Sequence, residues 1–195
     1  MRILRAGDYR RMPWKNGGGE TTEIIVSPDG AALDTFDWRV SMAHVASDGP
    51  FSLFPGIDRT LAVLAGHGIK LRVDGIGDVA LMTSSEPFAF PADAATNAHL
   101  IDGPITDLNV MSRRGVVRHT LSRTVMSEPI RIAAASGEDV LLLVQGGRAM
   151  VESGATQDTL FDDDSVLLPA GHEDVMMTPT TALTLHKVVF QRANT

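Results

Sequence analysis

Apolar residues in this chain come in short runs, and Gly or Pro interrupts nearly every run. Residues 21–26, 38–45, 59–64, 69–73, 88–90 and 107–111 carry the β-branched, aromatic and aliphatic types that suit a pleated surface. The first of these runs stops at Ser27-Pro28-Asp29-Gly30, a turn in which Pro presets φ and Gly tolerates positive φ. The second half repeats the design, with predicted strands at 140–144, 149–152, 165–168 and 182–190 separated by Gly146-Gly147, Gly154 and Pro169-Ala170-Gly171. Residues 92–98 and 130–135 have some helical character, and both stretches are short. Many short strands with turn residues between them predict an all-β sandwich or barrel.

The two halves also resemble each other. Val63-Leu64-Ala65-Gly66 aligns with Leu143-Val144-Gln145-Gly146 at an offset of 80. Phe90-Pro91-Ala92 aligns with Leu168-Pro169-Ala170, and 106–110 with 184–188, both at an offset of 78. Three anchors at nearly constant offset predict two copies of one barrel unit. Residues 1–118 are expected to form the first unit, with extra strands before about Asp48, and 119–195 a degenerate second unit packed with it.

A net charge of -7, with basic clusters no longer than Arg10-Arg11 and Arg113-Arg114, leaves no stripe for nucleic acid. The chain has no Cys, which excludes disulfides and thiolate catalysis and suits a reducing compartment. No segment has signal-peptide character, and no apolar run approaches the roughly 18 residues of a membrane span. A cytoplasmic protein with no membrane partner is expected.

The order "apolar strand, Gly, strand, turn, strand, Pro-x-Gly-like turn" resembles the cupin superfamily. In metal-binding cupins a Glu precedes the first Gly by seven residues, two His precede that Glu, and a third His follows the Pro turn. On this sequence the resemblance lays Ser52, Phe54, Arg59 and Thr96 on those positions in the first half, and Ile132, Ala134, Asp139 and Asp174 in the second. A divalent metal needs convergent His or carboxylate ligands, so neither set predicts a metal, and no cofactor is expected. Four ordered motifs are similar to a narrower family, HutD/Ves: Trp14-Lys15-Asn16-Gly17-Gly18-Gly19 with Thr21 and Glu23-Ile24, then the stretches 36–43, 48–59 and 107–114. That resemblance implies a bicupin fold and a regulatory role in bacterial histidine utilisation or stress response, through sensing of a small metabolite.

Candidate ligand residues follow. Arg59, at the metal position of the cupin template, offers a planar fork for a carboxylate, and pairing with an acid such as Asp58 is the alternative. If 51–54 is extended, Ser52 and Phe54 share a face, one to donate a hydrogen bond and one to stack on the ligand. Asn109 and Met111 share a strand face, with Met111 also readable as core, and Ser41 is a further pocket candidate. Trp14, Lys15 and Asn16 flank a glycine run that lets backbone approach a ligand, or simply turns tightly. The expected ligand is a small carboxylate of the urocanate or formylglutamate type, and a homodimer is expected from the exposed edges of such barrels. The alternative function is a metal-independent isomerase or hydrolase using Lys15, Arg59 and His44, although no acid/base couple is evident.

Overall fold

The Gly and Pro turns divide the chain into strands. The computed structural model of the protein describes residues 1–15 and 17–193, and among these every element except one 3-10 turn (Ala6–Asp8) is a strand. The first half holds β1 (Arg2–Leu4), β2 (Arg10–Pro13), β3 (Gly19–Ser27), β4 (Trp38–Val45), β5 (Gly49–Pro50), β6 (Ile57–Ala65), β7 (Ile69–Val73), β8 (Gly77–Leu81), β9 (Phe88–Pro91), β10 (Thr96–Leu100) and β11 (Ile105–Arg113). The second holds β12 (Val117–Met126), β13 (Ile130–Ile132), β14 (Glu138–Gln145), β15 (Ala149–Ser153), β16 (Thr156–Leu160), β17 (Ser165–Leu168), β18 (Val175–Pro179) and β19 (Leu183–Arg192). Neither stretch with helical character in the sequence is a helix: 92–95 is a turn leading into β10, and 130–132 is β13 followed by irregular backbone. Exposed Asn97 and Arg131 alternate with buried Ala98 and Ile132, and β10 and β13 pair antiparallel with β7 and β18.

Residues Arg10–Arg118 form one unit. It consists of two antiparallel sheets, ordered β2-β3-β4-β11-β6-β9 and β5-β10-β7-β8. Their facing sides share a core of Ala43, Val45, Leu61, Val63 and Ile105 from the larger sheet and Ile69, Leu71, Val73, Leu81 and Ala98 from the smaller. The odd-numbered residues of β4, β6 and β11 therefore point inward, because side chains alternate along a strand.

The other unit repeats this topology, with sheets ordered β1-β17-β14-β19-β12 and β13-β18-β15-β16. Its interior is apolar, filled by residues such as Val140, Leu142, Val144, Val166, Leu168, Val175 and Leu185. One β-bulge disturbs the constant offset between the copies. Ala65 opposes Thr106 and Val63 opposes Asp107, so Leu64 is the extra residue. Before the bulge the register is therefore one residue off the sequence alignment. Arg59 pairs with Phe90 and Met111, and the residue in the same place of the second unit, paired with Leu168 and Val189, is Val140. Asp139, which the sequence alignment matched to Arg59, is instead on the other face of β14, half-buried, where it accepts a hydrogen bond from the Ala170 amide at 2.9 Å.

The N-terminal arm also departs from expectation. Met1–Tyr9 cluster with the second unit, not with the first unit of residues 1–118 in which the sequence placed them. Strand β1 pairs with the edge of β17, and the buried Asp164 carboxylate fixes the arm. It accepts hydrogen bonds from the Ala6 amide at 2.8 Å, the Arg5 guanidinium at 2.9 Å and the Phe161 amide at 3.1 Å. The Tyr9 hydroxyl meets the Ser165 hydroxyl at 2.8 Å and donates to the Asp163 carbonyl at 2.9 Å. The acidic run 162–164 is thus a turn, before β17, that anchors the arm through the Asp164 carboxylate and the Asp163 carbonyl.

Asp164→Ala leaves two amides without their acceptor and removes one partner of the part-exposed Arg5 guanidinium, and is expected to cost about 2 kcal/mol of stability. Asp158→Ala, which removes the exposed partner of Arg5, is expected to cost less than about 1 kcal/mol. Chemical denaturation of the two variants checks the difference.

Candidate functional site

The interior of the first unit is unusual in what it buries. On β4, Trp38, Val40 and Met42 face away from the core while Arg39 and Ser41 share the inward phase of Ala43 and Val45. On β11, Asp107, Asn109 and Met111 share the inward phase of Ile105, and on β6 Arg59 shares that of Leu61 and Val63. Strand pairing brings these positions together. Ser41 opposes Asn109 and Glu23, Arg39 opposes Met111, and Met111 opposes Arg59.

The two buried arginines are in different states. Arg39 Nε donates to Glu23 Oε2 at 2.6 Å, and both side chains are largely buried, so this charge is neutralised. Arg59 is 5% exposed and, among the described residues, has no carboxylate within ion-pair distance. Its guanidinium carbon lies 5.1 Å from the centre of the Phe51 ring, 5.5 Å from Phe54 and 5.8 Å from Phe90. Ring faces attract a cation without neutralising it. One Nη donates to the Ser52 carbonyl at 3.4 Å, and Nε has no hydrogen-bond partner among the described residues. Burial lowers the Arg59 pKa to about 10, with Asp107 opposing the shift and Arg39 adding to it. At neutral pH it stays charged.

Asp107 is 1% exposed. Asn109 Nδ2 donates to its Oδ1 at 2.8 Å, whereas Asp107 Oδ2 and Asn109 Oδ1 are buried with no partner among the described residues. Burial pushes the Asp107 carboxyl up to about 7, against the hydrogen bond from Asn109 and the charge of Arg59.

The candidates from the sequence divide accordingly. Arg59, Ser41 and Asn109 lie on the interior face, and Phe54 is at the guanidinium. The Asp58 pairing considered for Arg59 is not made, since Asp58 binds Arg114 at 2.8 Å. Ser52 contributes its carbonyl; its side chain is exposed because 51–54 is not a strand. Met111 is buried in an apolar cluster with Val26, Phe36, Ile57 and Ala92. Trp14 packs at the core edge and donates Nε1–H to Thr21 Oγ1 at 2.8 Å. Gly19 has no space for a side chain beside the Trp14 ring and the His44 carbonyl, so this glycine serves close packing. Lys15 is exposed, and Asn16 lies outside the described residues. The acid/base set Lys15, Arg59 and His44 does not converge: His44 is exposed and on the opposite face of β4 from Arg39 and Ser41. Asp107, Arg39, Glu23, Phe51 and Phe90 were missed. Asp107 had a signal, being two residues from Asn109 in the same phase.

The metal positions of the cupin template do not fit a metal here. Ser52 and Phe54 are poor ligands, Arg59 is a cation among aromatic rings, and Thr96 Oγ1 donates to the Ala94 carbonyl at 3.0 Å. Among the described residues no three His, Asp or Glu side chains converge.

Comparison with known proteins identifies the lineage. The sequence model of the HutD family matches residues 6–185. This chain belongs to the HutD family. A conserved protein of unknown function from Pseudomonas aeruginosa PAO1 superposes on this HutD-family chain with TM-score 0.88 at 33% identity, over 97% of this chain and 98% of that one. HutD from Pseudomonas fluorescens SBW25, described as a formate condition, gives TM-score 0.81 at 30% identity over 99% of both chains. In sequence, an uncharacterised 21.2 kDa protein in the hutC 3′ region of Pseudomonas putida is 43% identical over 111 residues, 57% of each chain. Protein Ves of Citrobacter koseri is 40% identical over 112 residues, 55% of this chain and 56% of that one. The matched stretch thus spans little more than half the length of these curated relatives. An oxalate decarboxylase from Lactobacillus farciminis, at 10% identity and TM-score 0.67 over 98% of this chain and 86% of that one, shares the bicupin fold alone.

The Asp107 environment sets a pH dependence. An unfolded Asp titrates near 3.9, so between about 4 and 7 the folded state holds a proton that the unfolded chain has lost. Rising pH across that window lowers stability, and the loss is complete above about 7. Asp107→Asn cannot ionise, so its melting temperature relative to wild type is expected to be higher at pH 8.5 than at pH 5. Thermal melts at the two pH values check this.

Proposed function

We propose that this HutD-family bicupin is a regulatory protein that binds a small carboxylate of histidine utilisation, of the urocanate or formylglutamate type, in the interior of its first unit. The observation that carries the reading is Arg59: a buried guanidinium, held by three aromatic rings, that lacks an anionic partner among the described residues. A desolvated cation is costly unless it is paired, and a planar carboxylate fits its donor fork. The named relatives support the pathway: one lies in a hutC region, and another is called HutD. Regulation comes from the family resemblance.

A second reading rests on Asp107. A buried carboxyl that titrates near 7 is suited to proton transfer, so a metal-independent enzyme acting on the same acid remains the alternative. Turnover of a bound acid, followed by proton NMR, favours that reading; an unchanged acid favours the sensor.

A thermal-shift screen against urocanate, formylglutamate, histidine and formate tests the carboxylate site. Binding to the folded state raises the melting temperature by mass action. At least one acid is expected to shift the wild type and to leave Arg59→Met unshifted. Because Met replaces an unpaired buried charge, ligand-free Arg59→Met is expected to melt no lower than wild type. A ligand shift that survives in Arg59→Met removes Arg59 from the site.

A further inference from the structure

Three buried polar atoms of the first unit have no hydrogen-bond partner among the described residues, and they differ in what they need. Arg59 Nε is a donor and takes an acceptor, which a carboxylate supplies. Asn109 Oδ1 is an acceptor. Asp107 Oδ2 is one too when the carboxyl is ionised, and its Oδ1 is already occupied by Asn109 Nδ2 at 2.8 Å. A simple carboxylate carries no proton at neutral pH and satisfies only the arginine. The two oxygens need a group that brings hydrogens.

The positions favour one ligand serving both. Asp107, Asn109 and Met111 are successive inward residues of β11, and Met111 is the direct partner of Arg59 on β6. The charges of Arg59 and Asp107 also act on each other. The remaining interior pair, Arg39 and Glu23, is closed on itself at 2.6 Å. We propose that Asp107 and Asn109 form a second subsite on the same interior face as Arg59, so that the preferred ligand is an acid with an N–H or O–H donor in addition to its carboxylate. This rests on the carboxylate reading above. Aliphatic acids without a donor leave two buried oxygens unpaired, a penalty by which a polar site rejects close analogues.

Isothermal titration of the full chain with two matched pairs of acids tests the proposal. Urocanate is set against 3-(2-furyl)acrylate, whose five-membered ring has no N–H, and N-acetylglycine against acetoxyacetate, in which an ester oxygen replaces the amide N–H. In wild type the N–H member of at least one pair is expected to bind about 10-fold tighter or more. In Asp107→Leu and Asn109→Leu the preference is expected to fall below about threefold while the donor-free acid still binds. Equal affinity within both pairs in wild type overturns the subsite and leaves the Arg59 site standing. No binding by any of the four acids overturns both. A wild-type preference that persists in both variants overturns the assignment to Asp107 and Asn109. Each variant's melting temperature confirms that it folds, and the wild-type comparison decides without them.

Discussion

The polar interior of the first unit is organised around one desolvated charge. Arg59 lies inside a sheet sandwich, where the usual means of holding a guanidinium is a carboxylate in contact. Here three phenylalanine faces take that place, at 5.1 to 5.8 Å. They orient the cation and lower the cost of burying it, yet leave Nε–H, which has no partner among the described residues, to be matched. Phe51 and Phe54 come from the segment before β6 and Phe90 from β9, so loop and sheet edge both serve one side chain. Arg39 supplies the contrast, since Glu23 neutralises its charge at 2.6 Å.

The inward polar set inverts the ordinary rule for a half-buried strand. In Trp38-Arg39-Val40-Ser41-Met42 the alternation is plain, and the usual reading turns the apolar residues toward the core. In the structure Trp38, Val40 and Met42 are buried on the other face, and Arg39 and Ser41 share the phase of the core residues Ala43 and Val45. From Trp38 to Ala43 both faces of β4 are shut off from solvent. Alternation therefore identifies the strand correctly while leaving open which of its faces lines the interior.

That ambiguity explains what could be read from the sequence and what could not. Strands were legible because Gly and Pro punctuation is local: residues 38–45, 69–73 and 165–168 coincide with β4, β7 and β17. Arg59 was legible through a template that counts residues to a Gly. Asp107 and Glu23 were not, because their importance depends on which groups the folded sheet leaves unpaired around them. The misplacement of Asp139 has an equally local cause. One extra residue, Leu64 in the bulge, turns a constant offset into a register error, and slipping a strand by one residue exchanges its faces. The N-terminal arm escaped because pairing between β1 and β17 joins segments more than 150 residues apart.

The two units show what the same topology does with opposite interiors. Where the first has Arg59, Asp107 and Met111, the strand registers set Val140, Leu185 and Val189 in the second, and Leu168 stands in the place of Phe90. Asn109 has Lys187 as its counterpart, a half-buried residue whose long stem can lie against apolar surface while its ammonium stays wet. Apart from Lys187, the second interior is thus filled with apolar side chains that need no partner, and it gains the stability of an ordinary core. The first forgoes part of that stability by burying Arg59 Nε and two oxygens that have no partner among the described residues, and such atoms persist in a fold most readily when something outside the chain completes them. A small solute does that most directly when it brings an acceptor for Arg59 and donors for Asp107 and Asn109 in one molecule. The asymmetry between the repeats is the ground on which binding is proposed for the first unit, with the second as its apolar structural counterpart.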